Sequence, residues 1–295
     1  MKNTKTVLLH LHFCTFLLDI IVDFLVTPYI YLPTSAVTLC GILYEYLNLP
    51  FKPLCYFGQL SLYLMAMSMV RLFQTRHSII ATIKYKMNKK LTLLIYYTYM
   101  YLFGIITMML YFFDETPTKT AKQYFLQIYP CPPIEYFDDR TLVITTDIFA
   151  AVFCMSVATF HVVAHGSYFA IVGAYHLLKV PSRNLSQRTK KLQLTFLYNV
   201  SIQVAIPFTA IFIPISIFGM MLFLSTYSQI MNNVIMLTIS FHGLLSNISL
   251  IFLHKPYRDF TFGLVLRKKS KIEKNLSSVS TIVIVENQAS RISFR

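Results

Sequence analysis

The sequence alternates between long apolar runs and short polar connections. Six of the runs reach about 20 residues, which is the length that an α-helix needs to cross the hydrocarbon of a bilayer. The last run contains no Asp, Glu, Lys or Arg between Asn233 and Leu253. The pattern predicts an all-α fold, a polytopic membrane helix bundle with six transmembrane helices at residues 7–30, 55–73, 91–113, 141–166, 194–224 and 233–253.

Two segments extend beyond these spans. The fourth run continues to Leu178, which is too long for one crossing, and no turn signal divides it into two. We therefore expect one helix that continues past the membrane. Residues 270–295 are polar and rich in serine, a composition typical of disorder. The predicted domains are a bundle at residues 1–260 and a tail at residues 261–295.

The composition agrees with a membrane protein. Charged residues make up 13% of the 295, whereas a soluble domain carries about 25%. The formal net charge of +14 lies in the gaps between apolar runs and not in one patch, which argues against nucleic-acid binding. No GxSxG, Walker, GxGxxG or CxxC pattern occurs, so the sequence predicts neither an enzyme nor a cofactor.

The distribution of cations predicts the orientation. Of the 26 Lys and Arg residues, 22 lie in the N-terminal segment, the second connection, the fourth connection and the tail, and four lie in the remaining gaps. Cytoplasmic connections carry the excess of Lys and Arg. Both ends of this chain are therefore predicted to be cytoplasmic, and the acidic connection at residues 114–140 is predicted to face outwards.

The first span contains two acids. Asp19 lies near its centre, with Asp23 one turn further along the same face. An ionisable side chain at this depth costs at least about 2.5–3.5 kcal/mol on insertion scales, so it must face the bundle or a water-filled cavity. Asp19 is either an ion or proton site that biases a conformational switch or a residue that locks helix packing. For Asp23 the packing role is favoured.

Two prolines interrupt the fifth span. Pro207 and Pro214 stand seven residues apart and so lie on nearly the same helix face. Each removes a backbone donor and crowds the carbonyl four residues earlier, which predicts kinks. The kinks form either a hinge that lets one end of the helix swing or a fixed bend.

Histidine and cysteine offer two further candidate sites. His161 and His165 have a spacing that can hold a metal, but no third ligand is evident, so the sequence predicts packing and no metal. Cys55 and Cys131 are both predicted on the oxidising side, where a disulfide persists. A bridge between them would hold the acidic connection over the bundle, and two free thiols are the alternative.

Several segments together resemble a known family. They are LHFCTFLLD at 11–19 with TPYIYLP at 27–33, RLFQTRH at 71–77, YPCPPIEYF at 129–137, TKKLQLTFLYNVSIQVAIPFTAIFIP at 189–214 and HKPYRDF at 254–260. In this order, they resemble the nematode class H serpentine chemoreceptors, the Srh family of rhodopsin-like seven-helix G-protein-coupled receptors. The six spans are similar to helices two to seven of these receptors, and we expect the first helix to be missing from this sequence.

The resemblance has departures. Gln74 and Thr75 stand where the family's inner third-helix motif usually has Glu-Asn, so an ionic latch built on that acid is lost. No NPxxY pattern occurs in the last span, where SNISLIFLHKPYR stands at 246–258, as the family pattern has it.

The resemblance implies a chemosensory receptor of the plasma membrane, multi-pass, in sensory neurons, with a cytoplasmic C-terminus. It would bind an external small molecule among the outer halves of its helices and signal to a heterotrimeric G protein from within the lipid bilayer. The residues expected to form the coupling surface are Arg76, His77, Arg188, Lys190 and Lys191. The alternative role of these cations is to satisfy the positive-inside bias and bind anionic lipid.

A function of another class remains open. In a six-span transporter or channel, Asp19 and Asp23 would be pathway residues. That class predicts internal repeats or broken helices in matching halves, and no repeat is visible between residues 1–140 and 141–295.

Overall fold

The computed structural model describes residues 2–80, 89–129, 132–179, 187–253 and 257–264. Within these residues, six helical stretches are long and apolar enough to cross a membrane, which confirms the predicted helix bundle. They are Thr6–Val26, Phe51–Ile79, Lys90–Phe113, Ile148–His176, Gln187–Phe223 and Gln229–Leu253.

The described chain contains nine α-helices up to residue 253, three strands and a further helical segment at residues 257–264. The helices are α1 (Lys2–Ile20), α2 (Ile42–Glu45), α3 (Phe51–Ile80), α4 (Lys90–Met109), α5 (Thr118–Ile128), α6 (Ile148–Lys179), α7 (Gln187–Phe223), α8 (Gln229–Ser240) and α9 (His242–Leu253). A π-helical turn, Ile21–Val26, continues α1, and 3₁₀ turns occupy Leu110–Phe113 and Ile134–Phe137. The strands are β1 (Pro28–Tyr31), β2 (Ala36–Leu39) and β3 (Thr141–Val143).

The chain divides into two compact units, Met1–Ser246 and Asn247–Arg295. The bundle described below belongs to the first unit. The described residues of the second unit, 247–253 and 257–264, are helical. Most of the predicted tail, residues 265–295, lies outside the described residues, so the predicted domain division at residue 260 stays a prediction.

The fourth and sixth spans differ from their predicted form. Helix α6 begins at Ile148 and not at residue 141, because residues 141–143 join a sheet and Asp147 then caps the helix, its Oδ1 accepting from the Ala150 amide at 2.9 Å. It continues to Lys179, as the length of the run predicted. The sixth span is divided at Phe241 into α8 and α9, a break that the clean apolar run did not predict.

A three-stranded antiparallel sheet in the order β1-β2-β3 lies at the end of the bundle where α3 and α6 begin. This end is called the sheet end below. Strand β2 is buried along its whole length, and the hydroxyls of Thr38 and Thr141 are hydrogen-bonded at 2.6 Å between neighbouring strands. Ser35 has φ of 48° at the turn of the β1-β2 hairpin. The sequence did not predict the sheet, since β1 directly continues the apolar run of the first span.

Helix α3 is the centre of the bundle, and it packs against α1, α4 and α6. Leu18 of α1 meets Met65 and Leu72 of α3 in one buried cluster. Tyr63 of α3 reaches α4, where its hydroxyl donates to the Met100 carbonyl at 2.8 Å. The Tyr63 ring lies directly over Gly104, so any larger residue at position 104 would overlap it.

Candidate functional site

A cavity of about 200 Å³ lies among the spans at the sheet end. Every one of the six spans contributes to its wall, and β1 and β2 close it from the side of the sheet. The wall is mainly apolar, formed by side chains such as Val22, Leu62, Met108, Phe218 and Ile239. Concave sites of this composition are the usual binding sites for small molecules.

Few polar groups face this cavity. The described wall contains no Asp, Glu, Lys, Arg or His. Gln59 of α3 and Tyr111 of the 3₁₀ turn after α4 form one pair, in which the Tyr111 hydroxyl donates to Gln59 Oε1. Thr145 and Thr159 are also among the residues that line the cavity. The cavity can therefore bind an uncharged molecule through apolar contacts and a small number of hydrogen bonds.

Asp114 organises the connections beside the cavity. Its Oδ1 accepts from the amide and hydroxyl of Thr116, and its Oδ2 accepts from the amide of Thr146 at 2.6 Å and from the hydroxyls of Thr145 and Thr146. Lys52 donates to the Asp114 backbone carbonyl. Although burial raises the pKa of the Asp114 carboxyl, the hydrogen bonds from Thr116 and Thr146 outweigh it and hold that pKa well below its usual range.

The sheet is attached to α8 by two side-chain amides. Gln229 donates to the Ile30 carbonyl at 3.1 Å, and Asn232 donates to the Leu32 carbonyl at 3.2 Å. Asn232 is only 1% exposed. Because a buried hydrogen bond is costly to leave unmade, these contacts fix the strand that forms part of the cavity wall.

The two acids of the first span meet the divided last span. His242 Nδ1 lies 3.5 Å from Asp19 Oδ1, and the Ser240 hydroxyl donates to Asp23 Oδ1 at 2.7 Å. His242 is 1% exposed and its Nδ1 also lies 2.6 Å from the Ile239 carbonyl. Gly243 lies against the Asp19 carboxylate so closely that a Cβ atom would overlap it. Asp19 therefore faces the bundle, as its cost in lipid required, and its role as a switch stays a prediction.

The two prolines lie inside one continuous helix, α7. Toward the sheet end, Ile215, Phe218 and Leu222 of this helix line the first cavity. In the other direction, Ser201 and Phe208 line a second cavity of about 220 Å³ between α3, α6 and α7. Along α7, Pro214 therefore lies between residues that line the first cavity and residues that line the second, and Pro207 directly precedes Phe208. Movement about either proline stays a prediction.

The predicted coupling residues lie at the end opposite the sheet, but not all at the surface. Arg188 and Lys191 are exposed near the start of α7, Lys190 lies between them in the same helix, and Arg76 is half-buried near the end of α3. His77 is 1% exposed and packs against the rings of Phe169 and His176. The structure corrects the placement of His77, because aromatic neighbours on α6 enclose it inside the bundle.

The structure also places the predicted cysteine and histidine pairs. Cys55 carries a free thiol in the cavity wall, and Cys131 lies outside the described residues, so the disulfide stays a prediction. His161 stacks on Phe103 at 4.0 Å between ring centroids and lies 3.3 Å from the Tyr99 hydroxyl. His165 Nδ1 lies 2.9 Å from the His161 carbonyl. Aromatic packing thus accounts for the His161–His165 spacing.

Several residues of these sites were not predicted. His242 and Gly243 contact Asp19, and Gln59 and Tyr111 form the polar pair of the cavity. One signal in the sequence pointed to the first pair: His242 is the one ionisable side chain in the last span, and a glycine follows it directly. Gln59 gave a similar signal as an amide within an apolar run, but its partner lies 52 positions away.

Comparison with known proteins identifies the family. The family model described as "Serpentine type 7TM GPCR chemoreceptor Srh" matches residues 1–267. The Caenorhabditis elegans protein "Serpentine receptor class H-72" is 21% identical over 293 residues, which cover 97% of this chain and 83% of that protein. No solved structure matches the chain. With its six membrane-spanning helices and its match over nearly the whole sequence, the chain belongs to the Srh family of serpentine chemoreceptors and is a multi-pass membrane protein.

Proposed function

We propose that this protein is a G-protein-coupled chemosensory receptor that binds an external small molecule in the cavity at the sheet end. The observation that carries the proposal is the cavity itself, walled by all six spans and free of charge among its described residues. A ligand in contact with every span can favour one helix arrangement over another, which is the thermodynamic requirement of a receptor. In this proposal the sheet end faces outwards at the plasma membrane of a sensory neuron.

The opposite end is proposed to couple to a heterotrimeric G protein. Arg188 and Lys191 are exposed there, with Lys190 between them and half-buried Arg76 on α3. Exposed cations at this end agree with the excess of Lys and Arg in alternate connections, which favours a cytoplasmic location and a cytoplasmic C-terminus. His77 contributes by packing α3 against α6 and not by contact with a partner.

The switch is proposed to involve α7 and the Asp19 contacts. Pro214 lies between α7 residues that line the two cavities, so a change at Ile215 or Phe218 is transmitted along a helix that lacks a backbone hydrogen bond there. The transporter alternative has less support, because Asp19 and Asp23 are engaged by His242 and Ser240 and the family is one of receptors.

The cavity is tested by two substitutions at one glycine. Gly58 of α3 lines it, and a Cβ atom at this position would meet only Val26 Cγ1 at 3.7 Å, an ordinary contact. Gly58→Ala is therefore expected to keep surface expression and response, whereas Gly58→Phe fills the cavity and abolishes the response. The measurement is surface level and second messenger evoked by a panel of small organic molecules. An equal response from the two variants would contradict the proposed site.

The coupling surface has its own control. We expect Arg188→Ala combined with Lys191→Ala to lower the evoked second messenger while the surface level is unchanged. Lys119→Ala removes an exposed cation of α5, at the sheet end, and is expected to leave the response unchanged. If Lys119→Ala lowered the evoked second messenger as much as the Arg188→Ala and Lys191→Ala double variant does, the effect would be a general one of charge, and the proposed coupling surface would lose its support.

A further inference from the structure

Gln59 is a hydrogen-bond donor that the cavity leaves unused. Its Oε1 accepts from the Tyr111 hydroxyl, and this arrangement leaves the role of donor to Nε2. Among the described residues, Nε2 has no hydrogen-bond partner. The amide lies in the middle of a wall made largely of Val, Ile, Leu, Met and Phe. A donor in such surroundings gains most from an acceptor that enters with the ligand.

The other polar groups of the wall are less suited to select a ligand. The Thr145 hydroxyl already donates to Asp114 Oδ2 at 3.1 Å and accepts from the Asp147 amide at 3.0 Å. The hydroxyls of Ser35 and Thr159 rotate freely about one bond, so each can turn to a nearby carbonyl. The Gln59 amide is held by Tyr111 at its oxygen and keeps its nitrogen as a donor.

The size of the cavity and the lack of charged residues among its described lining further restrict the range of molecules that it can bind. A dry apolar cavity of about 150 Å³ holds benzene, which has six non-hydrogen atoms, so the 200 Å³ here suit a molecule of about eight or nine non-hydrogen atoms. A carboxylate or ammonium group would lose its hydration in this wall and find no counter-charge among the described lining residues. Both classes of ion are therefore disfavoured.

We infer that the cavity selects small uncharged molecules, mostly apolar, that carry one hydrogen-bond acceptor such as a ketone oxygen, which accepts from the amide of Gln59. This inference rests on the proposed function and specifies its ligand class. The amide acts through ligand binding alone, so its effect is measurable without a G protein.

The experiment uses the purified chain in lipid nanodiscs and three probes of similar size: octan-2-one, nonane and octanoate. The variant Gln59→Met keeps the length of the side chain and removes the donor. We expect it to bind octan-2-one about tenfold more weakly, the effect of one lost hydrogen bond in an apolar site. Nonane has no acceptor, so its binding is expected to be equal in both proteins, which also shows that the variant is folded.

Thr159→Val is the matched control, because it removes a cavity hydroxyl at nearly constant volume. It is expected to bind octan-2-one within twofold of the unchanged protein, roughly the scatter of a neutral substitution. Octanoate is expected to bind neither protein. Unchanged octan-2-one binding by Gln59→Met, binding of octanoate in place of octan-2-one, or no binding of octan-2-one overturns the inferred ligand class. The second-messenger response of the Gly58 variants tests the proposed receptor function independently of this binding experiment.

Discussion

Gly243→Ala offers the sharpest test of the contact between the first and last spans. A Cβ atom at position 243 would lie 2.7 Å from the Asp19 carboxyl carbon, whereas ordinary contacts begin at 3.4 Å. Both carboxylate oxygens of Asp19 lie closer to this position than the carboxyl carbon does, so the carboxylate would have to withdraw by more than about 0.7 Å, and its neighbour His242 is almost fully buried. Overpacking of this kind costs typically about 1–3 kcal/mol, so we expect the variant to lose thermal stability and surface level.

The cause of that loss is isolated by a second substitution. In Asp19→Ala the carboxylate is gone and the added methyl group has space, so Gly243→Ala should cost little in that background. The double-mutant cycle is then expected to give a coupling energy of about 1–3 kcal/mol, measured as the midpoint and enthalpy of thermal denaturation in lipid nanodiscs. Strictly additive effects of the two substitutions would refute the reasoning, since they would mean that Asp19 and Gly243 do not touch.

Four further predictions address the other sites. If Asp19 is a switch residue, the Asp19→Asn variant should reach the cell surface at the normal level but show a changed basal or evoked second-messenger level. If Asp19 only locks helix packing, the Asp19→Asn variant should signal normally, whereas Asp19→Leu should lower expression. Asp114→Asn should lower the free energy of unfolding at pH 7 by about 1 kcal/mol for each lost hydrogen bond. Because the pKa of the Asp114 carboxyl is lowered in the folded chain, the stabilisation by this carboxylate is complete above about pH 4 and is lost as the pH falls further. The difference in stability between the variant and the unchanged protein should therefore narrow in acid. Non-reducing peptide mapping should find Cys55 linked to Cys131, and labelling of both thiols without reductant would exclude the bridge. Tags at either end of this chain should be reached by antibody only after permeabilisation, and an externally accessible C-terminal tag would contradict the orientation.

The helices were predictable because their physics is local. A run of apolar residues must satisfy its backbone hydrogen bonds within itself in lipid, so the six spans follow from composition along the chain. Their limits moved by several residues, for example at Ile148, where Asp147 caps the helix, and at Gln187, where α7 begins seven residues before the predicted span. The sheet was not predictable in this way, since β2 and β3 are paired across a separation of about a hundred residues by contacts such as Thr38 with Thr141.

The candidate site shows the same difference between features that depend on local sequence and features that depend on distant contacts. Asp19 was predicted to face the bundle because lipid excludes it, but its partners His242 and Gly243 required the three-dimensional packing of the first span on the last. His77 was expected at the coupling surface from the resemblance of RLFQTRH to the family's inner third-helix motif, yet the aromatic residues of α6 that pack against it come from almost a hundred positions further along the chain. The role of Gln59 could not be predicted from the sequence, because it depends on the contact with Tyr111 and on the shape of the cavity.

Helix α8 connects the cavity at the sheet end, which is the proposed ligand site, to the Asp19 contacts. Met236 and Ile239 form part of the cavity wall, and the next residue, Ser240, donates to Asp23. The Ile239 carbonyl lies 2.6 Å from His242 Nδ1, the atom that also faces Asp19. Both contacts lie at the junction of α8 and α9, where the Phe241 amide donates to the Leu237 carbonyl and the Phe241 carbonyl accepts from the Leu245 amide. In the proposed receptor, a ligand that displaces Ile239 would act on both acids of the first span through contacts only one turn away.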